Sequence, residues 1–177
     1  MNSSDRLIHC VCEHHKSLYQ WFLLHQEGLL THHIVMAQKA WRVFEGGLRL
    51  HLELENEYLF SSTSNVLQTG ELRWSKHVYL KEHDKVLKLL DQLSEMLLEF
   101  YDFEGRKKRL ALLEVLEKQM TFRHVLEHHE EREEMDALKC LSGLDVKQAK
   151  AFELEITAWQ SEQAELLTQL KVHFAAC

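Results

Sequence analysis

Proline is absent from this chain of 177 residues, glycine occurs only six times, and no run of about twenty apolar residues is present. The residues that most often interrupt helices are therefore missing or rare. Val and Ile, which favour strands, are few, while Leu, Glu, Lys, Gln and Ala are plentiful. The lack of a long apolar run argues against a membrane-spanning helix. The composition predicts an all-α fold, and the length favours one domain with a substantial core.

The chain has no excess of positive charge, because 21 Lys and Arg residues stand against 28 Asp and Glu residues and the formal net charge is -7 at neutral pH. Nucleic acid and anionic membrane surfaces are therefore not expected as partners. The first residues, MNSSDRLIHCVCEHHK, lack the apolar run of a signal peptide. The cysteines have neither zinc-ligand spacing nor the density of a disulfide framework, which favours reduced thiols in a cytoplasmic protein. They are Cys10, Cys12, Cys140 and Cys177.

Apolar periodicity and polar breaks predict five helices, at about residues 4–30, 34–60, 75–101, 107–139 and 146–174. The polar segment 61–73 is the longest predicted loop, and Asp145 is expected to cap the last helix. The first four helices form two similar hairpins, each with a lone His on its first helix and a His-x3-Glu on its second. This repeat predicts an up-down-up-down four-helix bundle over residues 1–140. Residues 141–177 are expected to add a helix packed on the same domain.

Histidine is the unusual component of this chain, with thirteen occurrences. Two His-x3-Glu pairs, His51/Glu55 and His129/Glu133, lie on the apolar stripes of the second and fourth predicted helices. Residues four apart project from one helix face, about one turn from each other. An inward Glu is almost never fully buried unless it is paired or binds a metal ion. Buried ion pairs are the competing interpretation, but a further His from each of the two other helices favours metal ions.

Three histidines lie towards the apolar side of the first helix, and their height along it separates them. His15 lies about 16 residues before the first turn and His51 about 18 after it, so their heights agree to roughly 3 Å. His25 is more than one turn from that level. His14 and His15 each lie about 50° from the centre of the stripe. We take His15 as the candidate ligand, and His14 stays open as the alternative.

The third helix places His83 in the middle of its apolar stripe. The heights of His83 and His129 differ by roughly 6 Å. His124 fits the height better, but His124 and His128 lie roughly 120–160° from the centre of the stripe. Facing therefore favours His129, while a contribution from His124 or His128 stays open. The candidate metal ligands are His15, His51, Glu55, His83, His129 and Glu133.

The predicted ligand set mixes imidazole nitrogen with carboxylate oxygen. That mixture suits iron, manganese or zinc. A carboxylate can bridge two cations, and ligands from four helices favour two ions over one. In two-metal sites the ions usually lie about 3.5–4 Å apart. The pattern therefore predicts a dinuclear centre inside the bundle.

Four segments carry these residues: LLHQEGLL on the first helix, HLELENEYLF on the second, LRWSKHVYLKEHDKVLKLL on the third and VLEHHEEREEMDAL on the fourth. Together they resemble the hemerythrin-like HHE cation-binding domain family, in its bacterial form. The resemblance covers about residues 5–139. It implies a hemerythrin-like four-helix bundle that binds two non-haem iron ions, with Glu55 and Glu133 as bridging carboxylates. Other divalent metals remain alternatives.

Two positions depart from the oxygen-carrying hemerythrins of invertebrates. Leu87 stands four residues after His83, where those proteins have a second His. Glu133 follows His129 at the x3 spacing, where they have an Asp at the x4 spacing. The site therefore has fewer imidazoles and more carboxylate, which favours oxygen activation over simple reversible carriage.

The resemblance implies a protein that binds dioxygen or a related small diatomic or peroxide ligand. Oxygen or iron sensing, storage, or the handling of oxidative stress would follow from that chemistry. A homodimer is compatible with the sequence. Two alternatives stay open: a di-iron enzyme of the oxidase or peroxidase type, and a metal-free helical interaction module that uses the last helix as its partner surface.

Overall fold

The computed structural model of the chain describes residues 3–60 and 73–175, and these are almost entirely helical. Its elements are α1 Ser3–Leu30, α2 Ile34–Tyr58, α3 Lys76–Asp102, α4 Gly105–Met135, a 3-10 helix Ala137–Gly143 and α5 Val146–Ala175. No strand occurs in the two described ranges. No helix within them is long and apolar enough to cross a membrane. The predicted all-α class is confirmed.

The helices begin and end close to the predicted limits. The predicted loop 61–73 lies outside the described residues except at its last position. Gly105 opens α4 with a φ of +56°, a left-handed conformation that glycine adopts without steric penalty. The predicted cap of α5 is present, because Asp145 Oδ1 accepts a hydrogen bond of 2.8 Å from the Gln148 amide. The Asp145 amide donates in return to Gln148 Oε1 at 3.3 Å, which completes a capping box.

The fourth helix ends earlier than predicted, because Asp136 leaves the helical path and anchors the residues before α3. Its Oδ2 accepts hydrogen bonds from the Tyr79 hydroxyl at 2.9 Å and from the Arg73 amide at 2.9 Å. The chain then continues as the short 3-10 helix up to Gly143. This anchor fixes the first turn of α3 beside the last turn of α4.

Packing pairs α1 with α2 and α3 with α4, and α5 lies against both α1 and α2. Gly47 on α2 makes the close approach of α5 feasible. A Cβ atom at Gly47 would stand 2.3 Å from the Trp159 ring and 2.8 Å from Leu18. Only a residue without a side chain lets Trp159 reach the α2 backbone.

Two apolar clusters fill the interior. One contains Leu18, Phe44 and Phe122, and the other contains Leu7, Tyr79, Phe152 and further residues of α5 and the 3-10 helix. Buried His and Glu residues separate the two clusters along α1, α2, α3 and α4. On α1, for example, Val11 belongs to the second cluster and Leu18 to the first, and His15 lies between them. The molecule thus has a buried polar layer between two apolar regions.

Candidate metal centre

The polar layer contains all six residues predicted as ligands, and each is at most 4% exposed. Their donor atoms form two groups that could hold a metal ion, and within each group the atoms all lie within 4.8 Å of one another. His15 and His51 belong to one group, which we call the first position, and His83 and His129 belong to the other, the second position. Glu55 and Glu133 belong to both groups. Whether an ion occupies either position stays a prediction.

The first position lies between α1, α2 and α4. The Nε2 atoms of His15 and His51 are 3.2 Å apart. Glu133 Oε2 lies 3.8 Å from each of these two nitrogens. Glu55 Oε1 lies 3.6 Å from the Nε2 atom of His51, one turn earlier on the same helix. Two imidazole nitrogens and two carboxylate oxygens therefore face a common point.

The second position uses the other oxygen of each carboxylate. Glu55 Oε2 and Glu133 Oε1 both lie 3.4 Å from His83 Nε2. Glu133 Oε1 also lies 2.8 Å from His129 Nε2. Because Glu55 and Glu133 each direct one oxygen to each position, both carboxylates have the arrangement of bridging ligands.

The spacing of the donor atoms fits metal ions. Ligand atoms about 2.1 Å from an ion lie roughly 3.0 Å apart at right angles and about 4.2 Å apart when opposite. The separations quoted above run from 2.8 to 3.8 Å. Both oxygens of Glu55 are fully buried, and neither accepts a hydrogen bond from any described residue. A buried carboxylate without such partners is costly, and a cation between these oxygens and the imidazoles would compensate it.

A hydrogen bond on the outer side of the His15 ring fixes the orientation of its imidazole. Its Nδ1 donates a hydrogen bond of 3.1 Å to Glu134 Oε1 on α4. This bond leaves Nε2 to face the layer, and histidine ligands in metal sites usually have such an outer acceptor. The Glu134 side chain is 46% exposed. The partner of His15 is therefore a carboxylate at the surface.

The two histidines of the second position are oriented in the same way. His83 Nδ1 donates to Asn56 Oδ1 at 2.9 Å. His129 Nδ1 lies 3.4 Å from Glu82 Oε2, and Arg132 forms a salt bridge with Glu82. Three of the four candidate imidazoles thus have an outer acceptor and direct Nε2 inwards, as ligands of a metal would.

Charge in the layer is strongly coupled. Burial favours a neutral Glu133, but His129, His51 and His83 together hold the pKa of that carboxyl well below its usual range. Burial likewise opposes the charged form of His15, yet Glu134 and the carboxylates of the layer raise its pKa to about 9. In the absence of an ion the layer therefore favours positive charge on imidazole, and a cation could take over that role.

The structure separates His14 from His15. His14 is fully buried but belongs to neither donor group. Its Nε2 lies 3.4 Å from the Gly47 carbonyl, and its ring makes an edge contact with Trp159 at 4.9 Å. Burial, reinforced by His51 and His15, lowers the pKa of His14 to about 3, so it stays neutral. His14 supports the layer from the side that α5 covers.

The other histidines that were weighed as ligands lie elsewhere. His25 is buried more than two turns along α1 and belongs to neither group. The side chains of His124 and His128 are 65% and 76% exposed, and each lies near a Glu on the surface of α4. For α4, the direction in which a side chain points was therefore a better criterion than its height along the helix.

The outer acceptors are functional residues that apolar periodicity does not reveal. Asn56, Glu82 and Glu134 each stand next to a candidate ligand in the chain, yet each contacts an imidazole from another helix. A sequence signal for such an acceptor is therefore a polar residue immediately beside a candidate ligand. The side chain of that polar residue points towards the neighbouring helix.

One groove reaches the first position, and a smaller pocket adjoins that groove. A groove of about 480 Å³ between α1 and α4 is lined by His15, Glu130 and Glu134, among others. A smaller apolar pocket of about 20 Å³ is lined by aromatic side chains, including Phe44 and Phe122. Glu130 lines both cavities, so they adjoin one another beside the layer.

The comparisons with known proteins give no further assignment. No family model, no curated protein and no solved structure matches this chain. The structure shows buried His and Glu groups that could hold metal ions. Any assignment of the metal and of the family therefore depends on the ligand geometry and on the segments quoted above.

Proposed function

We propose that this chain is a hemerythrin-like, non-haem di-iron protein that binds dioxygen or a related small molecule such as nitric oxide or peroxide. The observation that carries the proposal is the sharing of Glu55 and Glu133 between two groups of donor atoms. A single ion would need only one oxygen from each carboxylate. Both carboxylates direct their two oxygens to different imidazoles, which is the arrangement that a pair of ions requires.

The donor types support iron. Four imidazoles and two carboxylates form a set of intermediate hardness, which iron accepts in both of its common oxidation states. The resemblance to the hemerythrin-like family favours iron over manganese or zinc. It also favours an up-down-up-down arrangement of α1, α2, α3 and α4, with α5 outside. When bound, two iron ions would supply reversible electron transfer and a binding position for a small ligand.

The residues around the layer would protect such a centre. The apolar cluster with Phe44 and Phe122 lies on one side, and the cluster with Tyr79 and Phe152 lies on the other. They exclude bulk water from the ligands, whose side chains are almost fully buried.

An enzyme of the di-iron oxidase or peroxidase type is the second candidate. The observation that favours it is the α4 carboxylate Glu133, which is fully buried and belongs to both donor groups. A higher proportion of carboxylate than in the oxygen-carrying hemerythrins would stabilise higher charge on the metal and favour activation of oxygen over its release. Catalytic consumption of oxygen or peroxide in the presence of a reductant would select the enzyme over the binding protein.

The proposal is tested by elemental analysis of the purified chain, combined with an absorption spectrum recorded in air. We expect close to two iron ions per chain and near-ultraviolet absorption from paired ferric ions. A chain expressed with added iron that contains no metal would refute the proposal. That result, together with a melting temperature unchanged by chelation, would favour the metal-free interaction module.

A further inference from the structure

The two positions of the centre differ in the support given to their imidazoles. Both positions contain two histidines and share the same two carboxylates. Their innermost ligands therefore cannot distinguish them. The residues that hold the histidines from outside can, because such outer partners fix the ring orientation and strengthen the ligand.

The second position is supported on both of its histidines. Asn56 accepts from His83 Nδ1 at 2.9 Å. Glu82 lies 3.4 Å from His129 Nδ1, and its side chain is only 23% exposed. Arg132 forms a salt bridge with Glu82, so the carboxylate beside His129 is held in place.

Arg132 is itself held in place. Its guanidinium lies over the Trp74 ring, 5.1 Å from the ring centre. The Trp74 amide in turn approaches Asp136 Oδ2 at 3.4 Å, in the anchor that joins the start of α3 to the end of α4. A continuous chain of contacts therefore runs from the anchor through Arg132 and Glu82 to His129.

The first position has weaker support. His15 has an acceptor in Glu134, but that carboxylate is about half exposed, and water screens its charge. The Nδ1 atom of His51 has no hydrogen-bond partner among the described residues. The groove between α1 and α4 also reaches His15 from the surface. An ion at this position would therefore be held by less firmly oriented rings and lie nearer to solvent.

We propose that the second position binds its metal ion more tightly than the first and fills first, and that Arg132 is a positioning residue that acts on His129 through Glu82. This inference rests on the proposed dinuclear function. It predicts a chain that carries one firmly held ion and one that exchanges with the surroundings. Loss of an outer partner typically weakens metal affinity by about 10- to 100-fold, so the difference between the positions is measurable.

The test is a titration of the chelator-treated full chain with Co²⁺, followed by the visible absorption of Co²⁺ and by competition with a chelator of known affinity. We expect two resolved steps for the unaltered chain. Glu82→Gln should weaken the tighter step by about 10- to 100-fold. Glu134→Gln, its matched control, should change only the weaker step.

Arg132 is tested by two further variants. Arg132→Gln should weaken the tighter step by roughly tenfold and shift the Co²⁺ absorption of the first equivalent. Arg132→Lys retains the positive charge and should restore much of the affinity. If both variants weaken binding equally, or if neither does, the positioning role of Arg132 is wrong.

The positions are assigned by removing one imidazole at a time. His15→Ala should retain one ion with the affinity of the tighter step, and His83→Ala should retain only a weakly bound ion. Helical circular dichroism checks that each variant is folded. Two ions bound in a single unresolved step, or a tight ion kept by His83→Ala and lost by His15→Ala, would overturn the inference. Failure of the unaltered chain to bind two ions would instead refute the proposed function.

Discussion

Buried histidine occurs in two parts of this molecule, around His25 near the turn between α1 and α2 and in the polar layer that contains Glu55 and Glu133. Both ring nitrogens of His25 have neutral partners. The Nδ1 atom donates to the Ala37 carbonyl at 2.9 Å, and Nε2 accepts from Gln119 Nε2 at 2.8 Å. Gln119 Oε1 accepts in turn from Gln26 at 3.1 Å.

The polar layer is arranged in the opposite way. Three of its four candidate imidazoles have an acceptor at the outer nitrogen, the exception being His51, and all four direct the inner nitrogen towards carboxylates. Both Glu55 oxygens accept no hydrogen bond from the described residues, and the same holds for Glu133 Oε2. A neutral hydrogen-bonded network is complete without an ion. The comparison shows that burial alone does not distinguish a candidate metal ligand from a histidine in a neutral network, whereas the partners of the two ring nitrogens do.

The largest expected effect is on metal content, which substitutions in the polar layer should change and a substitution at His25 should not. The double variant His51→Ala, Glu55→Ala removes an imidazole and a bridging carboxylate, and we expect the metal content to fall from two ions per chain to none. His25→Gln, the matched control, should retain both ions, because His25 belongs to neither donor group. Elemental analysis of both purified variants measures this difference. Full metal content in the double variant would show that the assigned site is wrong.

The second effect concerns stability at unchanged metal content and should appear in the His25 region. His25→Ala leaves the Gln119 amide and the Ala37 carbonyl without partners and creates a cavity. The free energy of unfolding should fall by about 2–4 kcal/mol. Urea denaturation measures the change, and the metal content of the folded variant should be unaltered. A variant that lost its metal while keeping its stability would reverse the roles that we assign to the two regions.

The third effect is the pH dependence of the same region. Burial is the main cause that lowers the pKa of His25 from 6.5 to about 4. Protonation therefore favours the unfolded chain, and the contribution of neutral His25 is complete above pH 6.5 and is lost as the pH falls towards 4. From about pH 7.5 to 4.5 the unaltered chain should lose about 2–3 kcal/mol more than His25→Gln.

Urea denaturation across this pH range measures the difference. The unaltered chain and His25→Gln both contain the polar layer. The difference between their stabilities therefore excludes the response of the layer to acid. An equal loss in the two proteins would mean that His25 takes up its proton without unfolding, through a rearrangement of Gln119.

Much of this arrangement could be predicted from the sequence, because helices place residues three and four apart on one face. That rule was sufficient to place His51 with Glu55, and His129 with Glu133, inside the molecule. It could not choose between His14 and His15, which lie at equal angles from the apolar stripe. The choice depends on α5, whose Trp159 occupies the space beside His14. Such a contact joins residues far apart in the chain and has no local signature.

The spacing of residues along one helix does not predict which residues from other helices surround each histidine. Nothing near His25 in the sequence indicates Gln119, which lies 94 residues away and satisfies its ring. The height argument gave a mismatch for His129, since small differences in the loops and helix ends shift the level of a residue by several ångströms. Facing was more reliable because it depends only on the helix that carries the residue.

The polar layer divides the hydrophobic interior, and this division bears on how the chain unfolds. Each apolar cluster gains its stability from burial alone, without help from an ion. The layer between them depends on compensation of its charges. The backbone amides nearest the layer should therefore exchange with solvent hydrogen at rates that follow the supply of free metal, while amides deep in either cluster do not. In a molecule that binds the proposed ions, the availability of the cation would determine whether the two ends unfold together as one cooperative unit or separately.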